Sequence, residues 1–203
     1  GKNVDSQPPV LTVNSPVDDE IYQSTSVLLE VDSNEPMSLY YTDNIDGRGV
    51  WIRLASSIDF YSKKIRFDEG LNDITIKGAD VNDNIFEVER SFFVDSKKPS
   101  IKKTYPKKDF ANGIFEVEFK EQNPELLTLY YGIEGDINHV VVSPNLCEID
   151  EDEGYCSITV PVDEFDGQEI SYWFSLTDIA DNIDESKPID LLVDITAPAI
   201  TNE

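Results

Sequence analysis

The chain repeats itself, and the period of that repeat restricts its fold more than any single motif does. Leu39-Tyr40-Tyr41 recurs as Leu129-Tyr130-Tyr131, and Pro9-Val10-Leu11 with Ser15-Pro16 recurs as Pro99-Ser100-Ile101 with Tyr105-Pro106, both 90 residues apart. Ala79-Asp80-Val81-Asn82-Asp83-Asn84 answers to Thr177-Asp178-Ile179-Ala180-Asp181-Asn182, and Phe93-Val94-Asp95 before Pro99 answers to Leu192-Val193-Asp194 before Pro198, now 98 or 99 apart. The second copy therefore carries eight or nine extra residues between its third strand and its penultimate one, the interval that contains Cys147 and Cys156. A length of 203 residues suits two units of roughly 100. The expected domains are residues 1–97 and 98–196. Residues 197–203 are expected to open a third copy, because Ala199-Ile200-Thr201 matches the start of the earlier two, so the chain reads as a slice of a longer array.

Each copy has the alternation of half-buried strands. Thr25-Ser26-Val27-Leu28-Leu29-Glu30-Val31 places Val27, Leu29 and Val31 on one face, Asn72 to Lys77 places Ile74 and Ile76 there, and Ile114 to Phe119 places Phe115, Val117 and Phe119 there. Ile170-Ser171-Tyr172-Trp173-Phe174 reads the same way. Pro, Gly, Asn and Asp interrupt these runs about every ten residues, and no long stretch has apolar positions at helical spacing behind a cap. The fold class is therefore all-β, with two tandem sandwiches of about seven antiparallel strands each. In the first copy the strands are predicted near 9–14, 25–32, 37–42, 50–55, 60–67, 72–79 and 85–94. Trp51, Trp173, Tyr40, Tyr41, Tyr130 and Tyr131 then read as core or half-buried strand residues, with a sugar-stacking platform as the lesser alternative.

Charge excludes some partners. With 41 acidic and 16 basic residues the formal net charge is -25, which opposes nucleic acid and anionic membrane surfaces, whose recognition needs Lys and Arg. No run approaches the roughly 20 apolar residues that span a bilayer, and no signal peptide opens the sequence, so an anchor and export signal are expected outside it. Cys147 and Cys156 flank an acidic loop and are expected to form a local disulfide if the protein is exported.

The run Phe67-Asp68-Glu69-Gly70-Leu71-Asn72-Asp73-Ile74-Thr75-Ile76-Lys77-Gly78-Ala79-Asp80, then Val81-Asn82-Asp83-Asn84 and Phe93-Val94-Asp95 before Pro99, resembles the closing half of bacterial and archaeal immunoglobulin-like repeats. In that family an "EGxN" turn leads into a strand ending "AxDxAGN", followed by a last strand ending "VDxTxP". The second copy keeps Asp178, Ala180, Asp181, Asn182, Val193, Asp194, Thr196 and Pro198 of this pattern but offers Asp166-Gly167-Gln168 in place of the first turn. Neither copy has the glycine of "AGN"; Asp83 and Asp181 replace it, as residues that tolerate left-handed geometry. The resemblance implies immunoglobulin-like sandwiches and a choice among surface stalks, adhesin segments, surface-layer components and accessory modules of secreted hydrolases. The matching expectation is a non-catalytic structural or adhesive segment, extracellular or on the cell surface, whose partners are neighbouring repeats and, beyond them, surface proteins or glycans. The alternative is a carbohydrate- or protein-binding module of a larger secreted hydrolase or receptor.

Calcium is the one candidate cofactor, since a hard cation takes six to eight oxygen ligands. In a seven-stranded sandwich the last hairpin lies at the end where the chain enters, which predicts Asp178, Asp181, Asn182 and Asp184 near the linker residue Asp95. Asp18-Asp19 and Asp68-Glu69 of the first copy are predicted to face the same end. The competing reading is that Asp and Asn are simply what tight turns prefer. The acidic loop Cys147–Cys156 misses the EF-hand spacing and reads first as a solvated hairpin tip. His139 is the single histidine, and no nucleophile motif, phosphate loop or zinc spacing accompanies it, so no enzyme is expected.

Overall fold

Wherever the sequence alternates, the backbone is extended and paired, and the apolar parity decides which face is covered. A computed structural model describes residues 6–195. The expected third copy, 197–203, lies outside the described residues. The chain divides into two compact units, residues 1–96 and 97–203.

The first unit contains β1 (Leu11–Ser15), β2 (Ile21–Tyr22), β3 (Ser26–Asp43), β4 (Ile52–Arg66), β5 (Gly70–Ala79) and β6 (Ile85–Val94). All seven expected runs carry strand, but four of them fuse into two: 25–32 with 37–42 into β3, and 50–55 with 60–67 into β4. The first half of β3 pairs with β1 and with the end of β4, whereas from Ser38 onward it pairs with β5 and with the start of β4. One strand thus serves both layers of the sandwich. Its register against β4 shifts between Asp32 and Met37 and again on either side of Leu39, which is where the polar run Asp32-Ser33-Asn34-Glu35-Pro36 interrupts the apolar alternation. The break in side-chain pattern is a bulge within one strand and not a gap between two. Val27, Leu29, Val31, Ile74 and Ile76 are all buried, as their parity predicted, and Phe92 joins them with its ring edge-on to Phe67 at 5.0 Å.

The second unit contains β7 (Ser100–Tyr105), β8 (Phe110–Ala111), β9 (Ile114–Lys120), β10 (Pro124–Ile133), β11 (Asp136–Val142), β12 (Glu148–Asp150), β13 (Glu153–Thr159), β14 (Glu169–Asp178), β15 (Ile183–Glu185) and β16 (Ile189–Val193). One sheet runs β11-β10-β14-β16-β8, with β15 beside β14; the facing sheet runs β12-β13-β9-β7. Phe115, Val117 and Phe119 from one sheet meet Leu127, Leu129, Tyr172 and Phe174 from the other in the core. The repeat extends to small elements that the sequence did not disclose. β2 pairs parallel with β6 and β8 pairs parallel with β16, each for two residues. Ser15-Pro16 and Tyr105-Pro106 are both cis peptides.

The two units differ by a two-residue slip. Tyr40 lies opposite Lys77, whereas the equivalent Tyr130 lies opposite Trp173, although the turns that follow are 98 residues apart. An even slip keeps every side chain on its own face, so the cores remain equivalent.

Candidate functional site

The turn that closes each unit's last hairpin is built on one aspartate. Asp178 accepts the backbone amides of Ala180 (2.9 Å) and Asn182 (2.8 Å) through Oδ1, and the side-chain amide of Asn182 (2.9 Å) through Oδ2. Asp80 does the same in the first unit: Asn82 and Asn84 donate their backbone amides to Oδ1 at 2.7 and 2.9 Å, and Asn84 Nδ2 donates to Oδ2 at 2.7 Å. Both carboxylates are buried, and these donors replace the water they have lost. For Asp80, burial alone would raise the pKa, but the hydrogen bonds from Asn84 and Asn82 outweigh it and hold the carboxyl below its ordinary value. Asp83 (φ 63°) and Asp181 (φ 62°) occupy the left-handed position of the turn where the resembled family has glycine.

The other expected ligands also make local hydrogen bonds. Asp184 accepts the amide of Ile101 at 2.7 Å and so ties β15 to β7. Asp95 is buried, and its amide donates to Tyr22 O at 2.9 Å. Glu69 accepts both the amide and the hydroxyl of Ser96, so this loop does reach the start of the linker. Asp18 instead accepts the amide of Ser91 and faces Arg90 at 3.5 Å. A residue not anticipated is Glu121. It is buried, accepts the amide of Asn123 at 2.8 Å, and brings a carboxylate oxygen within 4.8 Å of one from Asp178. In sequence it is one more acid in Lys120-Glu121-Gln122-Asn123-Pro124, and only the end of β9 puts it beside the last hairpin.

The turn before β5 shows how the second copy manages without "EGxN". Asn72 donates to the carbonyls of Asp68 (2.9 Å) and Gly70 (3.0 Å). Gln168 reaches back four residues in the same way, to Glu164 O at 3.1 Å, and Gly70 and Gly167 both take positive φ.

Cys147 and Cys156 are bonded, as the sequence suggested for an exported chain, with their Cα atoms 4.6 Å apart. The bond clamps β12 to β13, whose residues Glu148 and Tyr155, Ile149 and Gly154, and Asp150 and Glu153 lie opposite one another. The acidic loop is therefore a braced hairpin on the open edge of a sheet.

The aromatic residues sort as expected with one exception. Tyr131 is buried, and Tyr40, Tyr41, Tyr130 and Trp173 are half-buried. Trp51 was expected in the core or on a half-buried strand face. It lies instead before β4 at 36% exposure, after a loop whose Gly47 and Gly49 take positive φ, with the Lys77 ammonium of β5 3.7 Å above its ring. Tyr130 and Trp173 are stacked, centroids 5.0 Å apart and planes 9° from parallel, and the exposed His139 flanks Tyr130 on β11. The stack covers one face of each ring. Tyr172, fully buried, donates to Pro106 O at 2.6 Å, and burial pushes its pKa up to about 12 against the opposing hydrogen bond with Thr104.

No protein-family model matches the sequence, and no curated relative does. Among solved structures the chain is similar to the I-band fragment I67–I69 from titin, at 13% identity and a TM-score of 0.51, over 92% of this chain and 66% of that one. It is similar also to the E-to-A variant of titin domains I67–I69, at 13% identity and a TM-score of 0.50, over 92% and 65%. The chain folds as two tandem immunoglobulin-like sandwiches. It spans about two thirds of the length of these titin fragments, and identity this low carries the fold alone. Among the described residues of the immunoglobulin-like pair, no helix is long and apolar enough to cross a membrane, which says nothing of a β-barrel.

Proposed function

We propose that this chain is a non-catalytic structural or adhesive segment of a cell-surface or secreted repeat protein, a stalk, adhesin or surface-layer element of the bacterial and archaeal immunoglobulin-like kind. The observation that carries the reading is the duplication of the Asp80 and Asp178 turns bond for bond, while the loops between differ. Repeats maintained in the residues that hold the fold, with no shared constellation of reacting groups, suit units that space and present. The Cys147–Cys156 bond supports an oxidising location. Short linkers that reach Pro99 and Pro198 favour limited flexure between repeats. Protease shaving of intact cells, followed by thiol labelling without reductant, tests this. Release of peptides from both units with Cys147 and Cys156 unlabelled supports it; protection of the chain until lysis, with both thiols labelled, counts against it.

Calcium remains a second proposal because Glu121 and Asp178 bring two buried carboxylates together, and like charges at that distance favour a cation. Melting with calcium and with chelator tests it. An ion held by the native state alone raises Tm roughly with the logarithm of its concentration once that exceeds Kd, and an unchanged Tm removes the proposal.

A further inference from the structure

The four-stranded sheet of the second unit has one acidic edge and one basic edge. At the β12 edge the braced hairpin presents Glu148, Asp150, Glu151 and Glu153, all exposed. At the other edge is β7. Seven of the 16 basic residues of the chain fall between positions 97 and 120, in a molecule of net charge -25. Lys102, Lys103, Lys107 and Lys187, against the two carboxylates Asp184 and Glu185, line a cleft of about 610 Å³ between β7 and residues 184–189. Lys103 is paired with Glu118 at 2.7 Å, but among the described residues Lys102, Lys107 and Lys187 have no carboxylate within ion-pairing distance. Unpaired ammonium groups where carboxylates outnumber cations by 41 to 16 are a local reversal of the general field.

We infer that the occupant of this cleft is the acidic hairpin of a second copy of the chain, giving a head-to-tail association through opposite edges of the β12-β13-β9-β7 sheet. The two edge strands are three strand spacings apart, roughly 14 Å; Lys102 and Lys103 share a second pocket with Glu148, Asp150 and Glu153 of their own chain, but no hairpin residue lines the cleft beside residues 184–189. Strand direction allows the contact. Each neighbouring pair in this sheet is antiparallel, so β12 runs opposite to β7, and a copy displaced sideways brings antiparallel edges together. The joining surfaces are different patches, so the contact is heterologous and propagates into an open row. The disulfide supplies rigidity: the hairpin exists only in the copy with the inserted residues and is held in shape before it docks. The inference stands apart from the stalk proposal, since a spacer that stays monomeric is still a spacer.

Sedimentation velocity of the full chain over a wide concentration range tests it. At about 0.15 M salt, where the Debye length is roughly 8 Å, repulsion between whole molecules is screened while contact pairs are not. The sedimentation coefficient is expected to rise with concentration there, and to rise less in dilute salt and in about 1 M salt. Two variants carry the charges in reverse: Lys102→Glu with Lys107→Glu and Lys187→Glu, and Glu148→Lys with Asp150→Lys and Glu151→Lys. All six side chains are exposed, and an unchanged melting temperature verifies the fold. Each variant alone is expected to associate about tenfold more weakly or worse, and an equimolar mixture of the two to recover association. A wild-type chain that remains monomeric throughout overturns the inference and leaves the lysines as protection of an open edge. Dextran sulfate bound through the same lysines by a monomeric chain overturns it too, in favour of a foreign polyanion.

Discussion

Asp178 accepts both the backbone amide and the side-chain amide of Asn182, and Asp80 makes the same two bonds to Asn84 in the other unit. The pairing explains why Asp and Asn recur at these positions. The aspartate satisfies three donors of the turn, and the asparagine closes the ring. The local-turn reading of these residues and the calcium reading compete for the same oxygens. Three of the roughly four acceptor sites of the Asp178 carboxylate are already engaged within the turn.

Replacing Asp178 with alanine strips those three acceptors at once from a buried turn. The expected cost is about 2–4 kcal/mol to the second unit, with Asp178→Asn costing less because one oxygen still accepts the two backbone amides. Denaturant unfolding followed by a probe in each unit measures it. A loss below the experimental error would mean that the turn is set by its flanking strands.

The first unit loses stability in acid through Asp80. Its folded pKa is depressed, so its contribution is complete above the unfolded value near 3.9 and is lost as the pH falls toward the folded value. Melting curves from neutral pH downward show this as a steepening that Asp80→Asn removes. An identical acid profile for that variant contradicts it.

Tyr172 gives the opposite window in the second unit. Its folded pKa, about 12, lies above the unfolded value near 10, so the neutral phenol stabilises fully below pH 10 and its contribution fades between the two values. Tyr172 should therefore ionise last, after Tyr41, Tyr61, Tyr131 and Tyr155, whose values are also raised, and together with unfolding, in an absorbance titration. Tyr172→Phe abolishes that late step and costs about 1 kcal/mol for the bond to Pro106 O.

Gly154 faces inward opposite Phe119, and a Cβ there would fall inside the Phe119 ring. Gly154→Ala is expected to cost about 1–3 kcal/mol in the second unit alone, because Phe119 is fully packed and must move off its position. Restoration by the additional change Phe119→Leu, measured by thermal melting, would show that the ring is the obstacle.

Much of this architecture was legible in the sequence because strand parity and repeat period are one-dimensional signals. Val27, Leu29, Val31, Phe115, Val117 and Phe119 could be assigned inward from alternation alone, and the left-handed Asp83 and Asp181 from their place in a glycine pattern. What was not legible depends on backbone pairing or on distance in space. β3 and β4 run through polar segments in which no side-chain pattern distinguishes a bend from a gap. The parallel pairs of Ile21-Tyr22 and Phe110-Ala111 are too short to leave a period. Glu121 approaches Asp178 across 57 residues of sequence, and Lys187 joins Lys102 and Lys107 only where β15 meets β7. The exposure of Trp51 was not legible because an aromatic next to a strand looks the same in sequence whether its ring is covered by the core or only by a lysine chain.

The claim on which the rest depends is that two self-contained immunoglobulin-like units share this chain and that only the second is stapled. Calorimetry of the full chain, oxidised and reduced, tests it most directly. Closing a loop of nine residues' separation contributes about 2–3 kcal/mol. Reduction, or the change Cys147→Ser with Cys156→Ser, is therefore predicted to lower one of two transitions by roughly 10–20 °C and to leave the other in place. A single transition that shifts as a whole, or two that shift together, would contradict the account.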